Sequence, residues 1–381
     1  MATQVAEIDI SRPLPAIELP ERDAGLLLLV RRHGHPVGLV RLRAAGRLSP
    51  AELTAAVRDQ VHLYEGGLPS PGAGPAPRVA VVVCSRERPR ELHRCLEALR
   101  CIHGAGHEVV VVDNAPASDR TARLCTAYPY TYLCEPRPGL NRARNRGLEA
   151  SRGEIVAFTD DDCEPDPVWL DALAAAYADE RVGAATGLVL PRELETRSQE
   201  RFEAYCANRR SFRPRTFAAP DTPPSAAGVA GMGANMSFRR ALLEELGGFD
   251  PRFDGGMPTL SGGDTEAFAR VLARGRRIAY RPDALVWHRH RREPAAVRRV
   301  VFGYGVGLYA VLAKRLLEDG DRGVWITAPR WLVGPPIRAA WNAVRRRPAA
   351  PAGLVLMELL GAFLGPLRYR AASRLAASST T

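Results

Sequence analysis

Ile155-Val-Ala-Phe-Thr-Asp-Asp-Asp162 is the stretch on which the reading of this chain turns. Its apolar run is continuous rather than alternating, which predicts a strand covered on both faces, as in an α/β sheet. The run ends on three successive carboxylates, Asp160, Asp161 and Asp162. Like charges a few ångströms apart raise one another's pKa unless a cation or hydrogen bonds neutralise them. Hard divalent cations take oxygen ligands, usually one or two carboxylates together with substrate phosphates. The triplet therefore predicts a metal shared between protein carboxylates and a nucleotide diphosphate. The plainer alternative is an acidic turn capping the helix that starts near Pro165-Asp-Pro167.

Working outward, strands and helices alternate from Arg78 onward, the pattern of a parallel α/β sheet. Val79 to Cys84 predicts the first strand, Glu108 to Asp113 the second and Thr131 to Cys134 a short third. Helices are predicted at Pro89 to Arg100, Ser118 to Ala127 and Leu140 to Ala150. Ligands of such sheets bind outside the carboxyl ends of the strands. Ser85-Arg-Glu87-Arg88, Asp113-Asn114 and the triplet all fall at such ends. Gly139-Leu-Asn-Arg-Ala-Arg-Asn-Arg-Gly147 opens a helix with Arg142, Arg144 and Arg146 near its N-terminus, a favourable place for phosphate oxygens. Ala143 and Gly147 are expected to let that helix pack closely on the sheet. A second acidic element, Ser261-Gly-Gly263-Asp264-Thr-Glu266, leads into another helix; its local role is a helix cap, which does not exclude chemistry. Trp287-His288-Arg-His290 ends an apolar stretch, and alternation puts both histidines on one face, where one of them could complete a metal site.

At 381 residues the chain is long for one domain, which predicts one large domain with appendages. Residues 1–66 read as a small ββα module. Two strands flank His33-Gly-His35-Pro36, whose histidines are read as solvated turn residues, and Ser49-Pro-Ala-Glu52 starts a helix. A Gly/Pro-rich linker is expected at 67–77. Lys314 is the single lysine. A phosphate-binding Gly-Lys-[Ser/Thr] loop is thereby excluded, since Lys314 lies between Ala313 and Arg315. Seven cysteines without a C-x-x-C pair give no zinc signature and no disulfide framework. With no basic, apolar leader at the N-terminus, a cytoplasmic setting is the expectation. From Arg289 onward 16 Arg+Lys face 5 Asp+Glu, so this segment carries the whole net charge of +11. Its apolar stretches, interrupted by arginines and by Glu358, predict helices lying peripherally on an anionic membrane, or else a helical subdomain packed on the rest. Nucleic-acid binding is disfavoured, because the strand–helix core offers no recognition module.

The ordered set Val83-Cys-Ser-Arg-Glu-Arg-Pro89, Asp113, Gly139 to Gly147, Phe158-Thr-Asp-Asp-Asp162, Gly233-Ala-Asn-Met-Ser and Gly263-Asp264-Thr-Glu266 resembles the inverting family-2 glycosyltransferases. The likeness runs from about Val79 to His290. It implies a GT-A fold: a Rossmann-like, mostly parallel central sheet with helices on both faces, its nucleotide-binding half at 78–162 and its acceptor half at 163–290, followed by a basic helical region at 291–381. It further implies a nucleoside-diphosphate-sugar donor, with uridine favoured, and Mg2+ or Mn2+ as cofactor. Ser85, Glu87, Asp113, Arg142, Arg144, Asp160 and Asp161 would line the donor pocket. Asp162, Asp160, His288 and His290 are the candidate metal ligands, Asp264 the catalytic base, and Gly263 and Glu266 the acceptor side. Two departures stand out: Glu87 replaces the usual Asp or Asn, and Gly263 stands where an acid often precedes the base. The processive Gln-x-x-Arg-Trp motif is absent, which favours transfer of a single sugar. The acceptor is left open among lipid carriers, glycans, peptides and small metabolites. A sugar-1-phosphate nucleotidylyltransferase or a non-catalytic sugar-nucleotide binder are the alternatives; the first typically uses a Gly-rich signature and a basic Lys or Arg near the first strand, and the single lysine in the tail disfavours it.

Overall fold

The computed structural model describes residues 2–20, 24–62, 77–103, 107–206, 211–344 and 350–378. The strand Val79–Ser85 lies at the centre of its parallel half, between Glu108–Asn114 and Ile155–Asp160, with Thr131–Glu135 at the outer edge. On the other side of 155–160 the order continues with Asn235–Arg239, Val182–Pro191, Arg277–His288 and the short strand Cys163–Pro165. Asn235–Arg239 runs antiparallel to both of its neighbours. The expected α/β architecture is therefore present as a mixed sheet, parallel from 131–135 through 155–160 and switching direction at 235–239.

Alternate side chains explain why the central strands read as unbroken apolar runs. Val81, Val83, Ile155 and Ala157 face a layer containing Leu92, Leu96, Trp169 and Leu173. Val82, Val156 and Phe158 face the opposite layer, where Phe158 meets Phe249 edge-on with ring centroids 5.0 Å apart. The helix Leu140–Ala150 approaches closely because residue 147 is glycine: a Cβ there would lie 2.3 Å from Val82 Cγ1. The pairings Ser85↔Asp113 and Cys84↔Asp160 bring the polar strand ends to one edge of the sheet.

The N-terminal module differs from the ββα expectation. Thr3–Asp9 adds a third strand, parallel to Ala24–Arg32, which in turn pairs with His35–Ala44. Its mixed, half-exposed side chains give no clean alternation, so the sequence hides it. The helix Pro50–Gln60 carries the expected Ser49/Glu52 capping box. The module rests on the large sheet: Leu29 packs with Leu188, Leu190 and Leu285, and Arg31 donates to Asp166 at 2.5 Å. The linker read at 67–77 falls almost wholly outside the described residues.

The basic segment forms three helices, Pro294–Leu317, Val324–Val344 and Ala352–Ser378. Lys314 anchors the first to the large α/β domain, donating to Asp250 at 2.8 Å and Glu266 at 2.5 Å. The third lies against the first with backbones nearly touching. A Cβ at Gly305 would lie 1.9 Å from the Glu358 carbonyl oxygen, and one at Gly361 2.1 Å from that of Phe302. The 294–317 and 352–378 helices are long and apolar enough to cross a membrane by length and composition, although arginines interrupt their apolar runs. The first is largely enclosed by protein, with 61% of its apolar window buried. Glu358 does not break the outer apolar surface, because it is buried on the inner side of its helix.

Gly361→Leu places a branched side chain against the Phe302 backbone. Overpacking of this kind destabilises by roughly 1–3 kcal/mol. The variant is expected to lower the urea midpoint accordingly; an unchanged midpoint would show that the 352–378 helix is not docked as described.

Candidate active site

Holding the acidic triplet together without a ligand requires compensating charge, and three separate segments supply it. Arg88, just beyond the 79–85 strand, donates to Asp161 Oδ1 at 2.5 Å and to Asp162 Oδ2 at 2.7 Å. Ser85 Oγ donates to Asp161 Oδ2 at 2.8 Å. Arg291 stands 3.4 Å from Asp162 Oδ2, and His288 Nε2 is 3.4 Å from Asp162 Oδ1. Asp160 is more open and lies 4.0 Å from Arg144. These groups border a cleft of about 350 Å³ whose walls include Asn114, Gly255, Gly256, Val300 and Tyr304. A smaller hollow of about 170 Å³, lined by Val297, Pro351 and Leu354 together with Arg197, Arg201 and Arg298, contains none of the carboxylates.

The three aspartates have different proton affinities. Burial pushes Asp161 up to about 7, against the pull of Arg88. Burial and the neighbouring Asp162 also raise Asp160. Asp162 is the opposite case: burial alone would raise it, but His288, Arg88 and Arg291 hold it far below the usual carboxylate range. It is therefore the permanent anion of the group.

Asp162 Oδ1 is also a buried oxygen with no hydrogen-bond donor in good geometry. A cation of modest size fits this atom together with His288 Nε2. Cys163 Sγ lies within 4.8 Å of both, but a soft sulfur ligand suits hard oxygen-seeking cations less well than the carboxylate and the imidazole do. A carboxylate and an imidazole, with remaining positions for phosphate oxygens, suit Mn2+ or Mg2+. His290 is a correction to the sequence reading. Its Nε2 faces Glu203 at 3.2 Å and its Nδ1 faces His288 Nδ1 at 2.9 Å. Glu203 accepts from His290 Nε2–H, so His290 Nδ1 accepts from His288 Nδ1–H. That network assigns His288 Nε2 as the ring atom presented to Asp162. His290 thus orients the candidate ligand and is not one itself.

Other expected residues also have altered roles. Glu87 holds φ at 53° and accepts from Ala117 N, Ser118 N and Ser118 Oγ, so its carboxylate fastens the 115–118 loop instead of facing the cleft. Asp113 is fully buried beneath the cleft; Tyr132 donates to its Oδ2 at 3.1 Å, while its Oδ1 lacks a partner in good geometry. Burial raises its pKa, opposed by the Tyr132 and Thr121 hydroxyls. The arginine cluster is split by the helix. Arg144 is buried and pairs with Asp254 at 2.5 Å, Arg146 turns outward to Glu149, and Arg142 lies half-buried beside Gly139.

Asp264 does not line the triplet's cleft but is joined to it through Arg144. A Cβ on Gly233 would lie 2.9 Å from Arg144 Nη2 and 3.3 Å from Asp264 Oδ2. Gly233 N donates to Asp264 Oδ2 at 2.7 Å and Thr265 N to Oδ1 at 2.7 Å, fixing the carboxylate at the start of the helix Gly263–Ala273. The missing acid at 263 has a steric reason. A Cβ there would come 2.4 Å from Asp254 Oδ2, and Asp254 Oδ1 accepts from Gly263 N at 2.9 Å. Asp254 therefore occupies the space such an acid would need, with its own backbone at φ 73°. Glu266 does not belong to an acceptor surface: it is buried and paired with Arg270 and Lys314. Arg88, Arg291 and Asp254 were not singled out from the sequence. The position of Arg88 immediately after a strand end and before Pro89 was the one available signal.

Residues 80–247 match the family model described as glycosyl transferase family 2. Over 315 residues the chain is 30% identical to the pre-mycofactocin glycosyltransferase of Mycobacterium tuberculosis, covering 77% of this chain and 63% of that protein. The chain thus spans less than two thirds of the length of that relative. A shorter match, 31% identical over 103 residues, is to glycosyltransferase AglE of Haloferax volcanii, covering 25% of this chain and 34% of that protein. Among solved structures, the mannosyltransferase PcManGT from Pyrobaculum calidifontis, in complex with GDP-Man and Mn2+, is similar with a TM-score of 0.48 at 20% identity, covering 81% of this chain and 77% of that one.

Asp161, Asp160, Asp113 and His288 all bind protons more tightly in the fold than their ordinary values imply. Groups raised in this way stabilise the fold at low pH, and that stability is lost as pH rises through the folded pKa. With divalent cations chelated, Tm is expected to fall as pH rises from about 4 to about 7, the span between the ordinary aspartate value and the raised value of Asp161. Asp161→Asn should flatten the slope; a wild-type Tm that rises across this window would contradict the assignment.

Proposed function

We propose, from the match of residues 80–247 to glycosyl transferase family 2, that this chain transfers one sugar from a nucleoside-diphosphate sugar to an acceptor hydroxyl, with inversion at the anomeric carbon. The observation that carries the reading is the pairing of Asp162 Oδ1, a buried oxygen without a donor, with His288 Nε2, while Asp264, outside that cleft, is held by the Gly233 amide and linked to Asp160 through Arg144. Asp162 and His288 would hold Mg2+ or Mn2+, which would supply charge neutralisation for the departing diphosphate. Asp113 Oδ1 accepts a hydrogen bond from the nucleoside, with uridine favoured.

Asp264 removes the acceptor proton as the hydroxyl oxygen bonds to the anomeric carbon and the bond to the diphosphate breaks. The Gly233 and Thr265 amides keep its carboxylate aimed, so little reorganisation accompanies the transfer. Arg144 balances Asp254 and Asp160 beside it and keeps this corner from accumulating negative charge.

Loss of a general base lowers turnover by about 10²–10⁴. Asp264→Asn is expected to show that loss in nucleoside-diphosphate release while retaining nucleotide affinity. Undiminished turnover would remove Asp264 from the mechanism. Asp162→Ala should abolish the metal-dependent part of nucleotide binding in calorimetry, and His290→Ala should weaken it without abolishing it. A panel of uridine, guanosine and other diphospho-sugars, scored by release of the diphosphate, identifies the donor.

A further inference from the structure

The 352–378 helix is apolar on two opposite sides. Leu354, Gly361, Gly365 and Tyr369 are buried on the inner side, where the helix meets 294–317. Leu356, Leu360, Phe363, Leu367 and Leu375 are exposed, Phe363 at 69%. At 100° per residue the two sets centre about half a turn apart. In the neighbouring 324–344 helix, Ile326, Val333, Ile337, Trp341 and Val344 recur at helical spacing, and all five are exposed. A helix packed only within a soluble protein presents one apolar stripe to the core and a polar one to water. Here apolar stripes on two neighbouring helices face outward, more than isolated surface residues would produce.

The charge around them selects the occupant. Arg330, Arg368, Arg370 and Arg374 are exposed on the same two helices, and the segment from Arg289 carries the chain's entire net charge. A second copy would oppose these cations with identical ones, whereas anionic headgroups complement them. Trp325 and Trp341 are exposed and of the type that sits at the depth where headgroups meet acyl chains. Spanning is disfavoured for the 294–317 helix, which is held in the protein by the buried Lys314 pairs.

We infer that the outer faces of the 324–344 and 352–378 helices lie in the interface of an anionic lipid bilayer. The 294–317 helix, whose Val300 and Tyr304 wall the cleft, packs directly on 352–378, so this contact seats the cleft near the membrane surface. The inference concerns attachment and stands independently of the proposed chemistry.

The test is flotation of the full chain with phosphatidylcholine vesicles, with and without about one third phosphatidylglycerol. Binding is expected to anionic vesicles and to be about tenfold weaker on neutral vesicles or in high salt. The triple variant Trp341→Ser, Phe363→Ser, Leu367→Ser should lose about tenfold in partitioning with an unchanged circular dichroism spectrum. If it fails to fold, Phe363→Ser alone should lose about threefold. Arg368→Gln, Arg370→Gln, Arg374→Gln should reduce the preference for anionic lipid. No flotation of the wild type, or flotation unaffected by the apolar substitutions, overturns the inference. So does a wild-type dimer in light scattering that the triple variant converts to a monomer while neither form floats.

Discussion

Everything at the carboxyl edge of the sheet is arranged around the cost of holding three adjacent aspartates together, two of them buried. No single element provides enough positive charge. Arg88 follows the first strand of the sheet, Arg144 rises from the helix Leu140–Ala150, and His288 and Arg291 arrive at the end of the 277–288 strand. Pairing with the triplet therefore ties together segments some two hundred residues apart. Guanidinium groups suit the task because their forked donors can engage two carboxylates at once, as Arg88 does with Asp161 and Asp162. The same compensation leaves Asp162 with one unsatisfied oxygen, so charge balance and readiness for a cation arise from one arrangement.

The strands were legible because burial on both faces requires uninterrupted apolar runs, as at Val79–Ser85 and Ile155–Asp160. Thr3–Asp9 was illegible for the converse reason: it is only partly covered and alternates poorly. Within the site, residue type indicated which groups were available for chemistry but not their direction. Glu87, Glu266 and His290 have the expected chemistry, yet each is spent on a neighbour: a loop amide, a buried cation and another imidazole. Asp254 was hidden because it stands in an irregular turn nine residues before Gly263, where no periodicity shows that it fills the room left by the missing side chain.

The C-terminal helices show the limit of one-dimensional reading from another side. In the sequence, Glu358 interrupts an apolar segment and makes it look unsuited to contact with lipid. In three dimensions it belongs to the inner side and leaves the outer stripe unbroken. The glycines at 305, 361 and 365 have a matching role, since they allow two helices to approach closely enough for the outer one to present a second apolar surface.

Arginine's near monopoly over the cations has a practical corollary. The lone side-chain amine of this chain, on Lys314, is enclosed between Asp250 and Glu266 at the seam joining the tail to the catalytic region. Acylating reagents and lysine-directed enzymes find no other ε-amino group, and this one becomes reachable when the seam parts. Modification at that nitrogen would therefore act as an intrinsic gauge of how often the two regions separate.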